Sequence, residues 1–184
     1  MRKALIVIDM QNDFVIGNLG TPEARDIVPK IKAKIKEEYN QSTDEVVFTQ
    51  DSHYLRNWNN PIEEIIEMNK IPLHCIKNTP GWCIIDELFP FANNVIVKNN
   101  FGYLNWETFF IDPDLSYKRF PPTSIEIVGV CTDICVISNA LALRAIFPKA
   151  KIIVDASCCA GSTPENHKAA LEVMKSCCIE VINE

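Results

Sequence analysis

Short apolar runs recur along the chain at residues 4–8, 46–49, 95–97, 125–129, 152–154 and 179–182. They are nearly continuous rather than alternating, the pattern of strands buried on both faces. Segments of helical period lie between them. Residues 24–39 place Ile27, Ile31 and Ile35 on one face and lysines and glutamates elsewhere. Residues 133–147 follow a Thr-Asp pair suited to a helix start, and residues 164–177 open with Pro-Glu after Ser162-Thr163. Strands alternating with helices predict an α/β fold, a parallel sheet wound by right-handed crossovers. Residues 57–73 and 101–122 are the long, less regular connections. No internal repeat, low-complexity tract or linker divides the chain, so residues 1–184 are expected to form a single domain.

Composition narrows the function classes. At 184 residues with 47% hydrophobic content, the chain is large enough to bury a core without covalent staples. A net charge of −6, with no basic block, argues against nucleic acid as a partner. The apolar run at the N-terminus stops at Asp9, too short for a secretion signal, and no run approaches a membrane span. A cytoplasmic location without membrane association is expected. The eight cysteines then read as reduced thiols rather than a disulfide framework. The adjacent pairs Cys158-Cys159 and Cys177-Cys178 suit small core hydrophobes. No CxxC spacing occurs; Cys131 and Cys135 are four apart, which argues against both a zinc cluster and a thioredoxin-like redox pair.

In a parallel sheet, ligands bind beyond the carboxyl ends of the strands. Asp9 ends the first strand, Asp51 and His53 follow the second, Lys98 ends the third and Cys135 follows the fourth. Cys135 lies in Gly129-Val130-Cys131-Thr132-Asp133-Ile134-Cys135, where a strand turns into a helix. Helix N-termini favour anions, so the position suits a thiolate nucleophile, and Lys98 favours it further. Asp9 is placed to act as general base and then general acid. The backbone N–H groups of Cys131 and Cys135 are candidate donors to an oxyanion. Singly, Asp9 reads as a turn residue and Lys98 as a solvated cation; their joint placement favours the functional reading.

Asp51 and His53 have i, i+2 spacing, which in extended backbone points both side chains the same way. With His74 they offer two imidazoles and a carboxylate, a donor set for a catalytic Zn, Fe or Mn ion. A capped turn plus a hydrogen-bonded core histidine is the competing reading. The chain has three histidines; the third, His167, reads as surface or structural.

These motifs resemble the isochorismatase-like cysteine hydrolase superfamily, and within it the nicotinamidase/pyrazinamidase branch. The resemblance spans nearly the whole chain. It is carried by Ile8-Asp9-Met10-Gln11-Asn12-Asp13-Phe14, Thr49-Gln50-Asp51-Ser52-His53, Pro72-Leu73-His74-Cys75-Ile76-Lys77-Asn78-Thr79-Pro80-Gly81, Val97-Lys98 and residues 129–135. It implies a three-layer α/β/α, Rossmann-like fold with a six-stranded parallel sheet. It implies Asp9, Lys98 and Cys135 as a catalytic triad, and Asp51, His53 and His74 as metal ligands. Of Glu63, Glu64 and Glu67, it favours Glu67 as a further ligand. The Val130-Cys131 bond matches a cis peptide that aims an oxyanion-hole N–H, and Phe14 and Phe101 match aromatic walls of the substrate pocket. Ile71 departs from the pattern: many nicotinamidases carry an aromatic residue there.

The expected activity is metal-assisted hydrolysis of a small primary amide through a thioester acyl-enzyme, with nicotinamide the first candidate. The expected partners are that small-molecule substrate and further copies of the chain in a homo-oligomer. Two alternatives from the same fold are an isochorismatase-family hydrolase with another small substrate and a non-catalytic binding subunit. The presence of Cys135, Asp9 and Lys98 at the matching positions argues against the latter.

Overall fold

The computed structural model describes residues 2–39, 43–54, 71–112, 114 and 120–184. Six parallel strands form one sheet: β1 (Lys3–Ile8), β2 (Glu45–Asp51), β3 (Val95–Lys98), β4 (Ser124–Val130), β5 (Lys151–Ala160) and β6 (Glu180–Ile182), in the order β3-β2-β1-β4-β5-β6. The chain winds outward from β1 to one edge, then crosses to β4 and winds to the other. Strand order therefore reverses between β1 and β4, and the carboxyl ends of these neighbours open the crevice of an α/β sheet.

Helices cover both faces, giving the three-layer arrangement. Alternation along β1 divides the core: Ala4, Ile6 and Ile8 face one side, Leu5 and Val7 the other. On the first side they meet α3 (Trp106–Phe110), α4 (Ile137–Ile146) and α5 (Pro164–Ser176), through Trp106, Phe110, Leu143, Leu171 and Met174. On the second they meet α1 (Asn12–Val15) and α2 (Pro22–Glu38), through Phe14, Ile27, Ile31 and Ile35. Burial of large aliphatic side chains on both faces, at roughly 1.5–3 kcal/mol each, is the main source of stability.

Helix starts follow local chemistry. Thr21 accepts the Ala24 N–H at 3.0 Å and Thr163 the Asn166 N–H at 3.2 Å, each followed by proline at the first helical position. The segment expected as one helix over 133–147 differs. It begins with a π-helical turn, Thr132–Val136, in which the Val136 N–H reaches back to the Cys131 carbonyl at 3.0 Å, and only then becomes α4. Strand β5 runs on to Ala160, because its partner β4 shifts register between Ile127 and Gly129 and pairs again at Gly129–Cys159 and Val130–Ala160. Gly129 has φ of +117°, and a Cβ there would lie 2.2 Å from the Ile8 carbonyl oxygen, so only glycine lets β4 pass β1 at this point. The short helices α1 and α3 carry no sequence pattern long enough to announce them.

A buried ionic cluster joins α2 to the sheet. Lys34 lies 2.7 Å from Glu126 on β4 and 2.9 Å from Asp155 on β5, and Tyr39 donates to Glu126 at 2.6 Å. It holds α2 in register on the sheet, through β4 and β5.

Candidate active site

Asp9 leaves β1 fully buried, in a left-handed backbone conformation (φ 48°) that aspartate adopts more readily than most residues. Thr49 on β2 fixes it twice: its hydroxyl accepts the Asp9 N–H at 3.1 Å and donates to Asp9 Oδ1 at 2.6 Å. Lys98, at the end of β3, reaches across β2 to place Nζ 2.6 Å from Asp9 Oδ2, 3.5 Å from Asp51 Oδ1 and 3.8 Å from Cys135 Sγ. Cys135 sits in the π-helical turn after β4, also buried. Thus four different strands bring Asp9, Asp51, Lys98 and Cys135 together at one end of the sheet. The Val130-Cys131 peptide is cis.

The electrostatics differ from the sequence expectation of a stabilised thiolate. Burial pushes the Cys135 thiol well above its ordinary value; Lys98 opposes this, but the negative Asp9 and Asp51 and a hydrogen bond with Asp9 add to it. Burial likewise raises the Asp9 carboxyl, assisted by the charge of Asp51 and opposed by Lys98. Cys131 is also pushed up, to about 12, by burial and by the charges of Asp133 and Asp9. Desolvation outweighs the favourable helix start once other elements cover the turn.

Beside this group lie Asp51, His53 and His74, all buried, with one possible ligand atom from each within 4.8 Å of the others. His53 extends β2 by a parallel bridge to Ile76: its N–H donates to the Cys75 carbonyl at 3.0 Å, and its carbonyl accepts from Lys77 at 2.8 Å. This pairing aligns the two histidines, whose rings meet edge to face at 4.8 Å. His74 Nδ1 lies 2.7 Å from the Pro72 carbonyl, which accepts its ring proton and turns Nε2 toward Asp51. That Nε2 faces Asp51 Oδ2 at 3.3 Å, and His53 Nε2 faces the same oxygen at 2.9 Å. A buried carboxylate and two imidazoles converging on one point are a donor set that fits a divalent metal ion. Burial opposes ionisation of Asp51, but hydrogen bonds from His53 and His74 and the charge of Lys98 outweigh it and hold the carboxyl well below the usual range. Glu63, Glu64 and Glu67 lie outside the described residues.

Both groups open onto one cavity of about 250 Å³, lined by Cys135, His74 and Cys131 together with Phe14, Phe101, Leu19, Ile71 and Ile134. Phe14 packs against the His74 ring at 5.2 Å between centroids.

Over residues 3–184 the sequence matches the isochorismatase domain. The chain belongs to the isochorismatase family. Among similar proteins of known name, the nicotinamidase of Schizosaccharomyces pombe is 30% identical, over 98% of this chain and 93% of that protein. The crystal structure of nicotinamidase PncA from Bacillus subtilis superposes with a TM-score of 0.77 at 27% identity, covering all of both chains. That of pyrazinamidase/nicotinamidase from Streptococcus mutans gives 0.72 at 28% identity, covering 98% of this chain and 99% of that one. Among the described residues of this family member, no helix is long and apolar enough to cross a membrane.

Several residues that shape the site escaped the sequence reading. Gln11 holds the Asp51 backbone at both ends, donating to its carbonyl at 2.9 Å and accepting its N–H at 2.7 Å, as a neighbouring strand would. Asp13 accepts the Cys75 N–H at 2.7 Å and so anchors the segment that carries His74. Asn139, fully buried one turn after Cys135, donates to the Cys135 and Phe101 carbonyls at 2.8 and 3.1 Å and accepts from Tyr103 and Trp106. It thereby ties the loop carrying Phe101 to the turn carrying the thiol. A polar residue in a largely apolar run was the available signal for Asn139, but it does not say what the side chain holds, and Gln11 and Asp13, in the polar segment 11–13, carried no such mark.

Proposed function

We propose that this family member is a cysteine amidohydrolase that cleaves the C–N bond of a small primary carboxamide, with nicotinamide the first candidate. The observation that carries the reading is the contact of Asp9 and Cys135 with the same Lys98 ammonium, with the Cys135 thiol at the wall of an apolar cavity of about 250 Å³. A flat ring held between Phe14 and Phe101 with its amide at Cys135 suits that space, and the nicotinamidase relatives support the same substrate class.

Burial raises the Asp9 carboxyl, which makes its carboxylate a better proton acceptor for the Cys135 thiol than a solvated aspartate would be. Cys135 gives its proton to Asp9 as Sγ attacks the amide carbon, and the carbonyl oxygen takes up the electron pair. The N–H groups of Cys131 and Cys135 are the proposed donors to that oxyanion; those of Ile134 and Val136 already bind the Cys131 carbonyl at 3.0 Å. Asp9 then protonates the leaving nitrogen, the C–N bond breaks, and ammonia departs from the thioester. Water attacks the thioester, Asp9 takes its proton and returns it to Sγ, and the carboxylic acid leaves. Lys98 balances the negative charge that passes between Asp9 and Cys135. Asp51, His53 and His74 would hold a divalent ion, with Glu67 a further candidate ligand; when bound, it supplies Lewis acidity next to the cavity.

Ammonia release from a panel of nicotinamide, pyrazinamide and aliphatic primary amides, with and without added Zn, Fe or Mn, tests this. Wild type should turn over at least one aromatic amide, Cys135→Ala should lose at least about 10³-fold in kcat, and Cys131→Ala should keep most activity. Full activity in Cys135→Ala would remove the thiol from the mechanism.

A further inference from the structure

His167 is the one histidine left without a part in this chemistry. It stands in the first turns of α5, half-buried, with Nδ1 2.8 Å from the Thr132 hydroxyl. Thr132 is fully buried and is the first residue of the π-helical turn that ends with Cys135 and Val136. The next residue, Asp133, is gripped from the same corner: it accepts the Ser162 N–H at 2.7 Å and the Ser162 hydroxyl. Ser162 is in turn braced by the Asn166 side chain at 3.0 Å, and the His167 N–H caps onto the Thr163 carbonyl at 2.9 Å. Gly161 allows the fit, because a Cβ there would come within 2.8 Å of His167 Cβ. The residue before it, Ala160, pairs with Val130, the last residue of β4. The start of α5 is thus locked to the end of β4 on one side and to both residues after Cys131 on the other.

We propose that His167 is a positioning residue that, through Thr132, sets the Cys131–Cys135 turn and so the alignment of the Sγ nucleophile with the backbone N–H groups that face it. Burial lowers the histidine below its ordinary value, with Asp133 and Glu184 opposing and Lys168 assisting, so it holds Thr132 without bringing a charge to the turn. The inference rests on Cys135 as the reactive thiol, but not on which amide it attacks.

The test uses two readouts on the full chain: steady-state kinetics with the best amide, and the rate of Cys135 alkylation by iodoacetamide in native protein, followed by mass spectrometry. His167→Ala and Thr132→Val should each lower kcat about ten- to hundredfold, the range expected for a misplaced reacting group, while KM changes less than about threefold. Both should shift the Cys135 alkylation rate by the same factor, and the double variant should be no worse than either single one. His167→Asn, whose amide reaches the position of Nδ1, and Thr132→Ser, which keeps the hydroxyl, should restore both readouts; His167→Gln, whose amide extends past that point, should not. Circular dichroism melts identify any variant that fails to fold, in which case the Asn, Gln and Ser variants decide. Wild-type kinetics in His167→Ala, multiplying effects in the double variant, or no advantage of Asn over Ala and Gln would each overturn the proposal. If wild type hydrolyses no amide on the panel yet the alkylation pattern holds, the substrate reading falls and the positioning role of His167 stands.

Discussion

Replacing Lys98 by methionine is the sharpest single perturbation of this site. Methionine keeps the unbranched stem and removes the ammonium. Lys98 is 5% exposed, with Asp9 at 2.6 Å, Asp51 at 3.5 Å and the Cys135 sulfur at 3.8 Å. Without it two buried carboxylates face each other with no cation on the Asp9 side. Breaking a buried ion pair by removing one partner costs about 3–5 kcal/mol. For a chain of 184 residues, each kcal/mol lowers the melting temperature by about 2–4 °C, so a fall of about 6–20 °C is expected. The companion variant Asp9→Asn/Lys98→Met removes both charges, leaves an amide oxygen for the Thr49 hydroxyl, and should recover more than half of that loss. Both variants should release no ammonia, which separates the stability of the cluster from its chemistry. Melts should be run after dialysis against a chelator, so that no ion held by Asp51 substitutes for the missing ammonium. A Lys98→Met protein as stable as wild type, or a double variant less stable than the single one, would refute the view that Lys98 is present to neutralise buried carboxylates.

Gly129→Ala should yield little soluble protein or lose more than about 4 kcal/mol in urea unfolding, because the new Cβ meets the Ile8 backbone at 2.2 Å with φ at +117°; Gly102→Ala, whose Cβ would meet only Ser138 at 3.5 Å, is the control that should fold normally. Asp155→Asn tests the buried cluster under α2. Burial opposes ionisation of Asp155, but hydrogen bonds from Lys34 and Ser157 outweigh it and hold the folded-state value below the ordinary one. The stability it adds is therefore full above about pH 4 and disappears as pH falls through the lowered value. Urea midpoints should differ between wild type and Asp155→Asn at pH 7, and the difference should shrink progressively as pH falls below about 4; a constant offset would show that the charge is not what matters.

Period and burial made the layers legible. Continuous apolar strands read as doubly buried because Ile6 and Val7 meet different helices on opposite faces, and the Ile27-Ile31-Ile35 stripe shows α2 packing through one face. The strand ends could be located, so Asp9, Asp51, Lys98 and Cys135 could be assigned to one edge, because in a parallel sheet every carboxyl end points the same way. Sequence did not decide which ends are neighbours. Only the order β3-β2-β1-β4 sets β1 beside both β2 and β4, and lets Lys98 cross β2 to reach Asp9. Hydrogen-bond partners such as Gln11 on Asp51, Asn139 on Trp106 and His167 on Thr132 join residues 33 or more positions apart, where no local period records them. The upward push of burial on the Cys135 thiol was likewise invisible, because residue type and helix position fix the local dipole, whereas desolvation depends on every element that closes over the thiol.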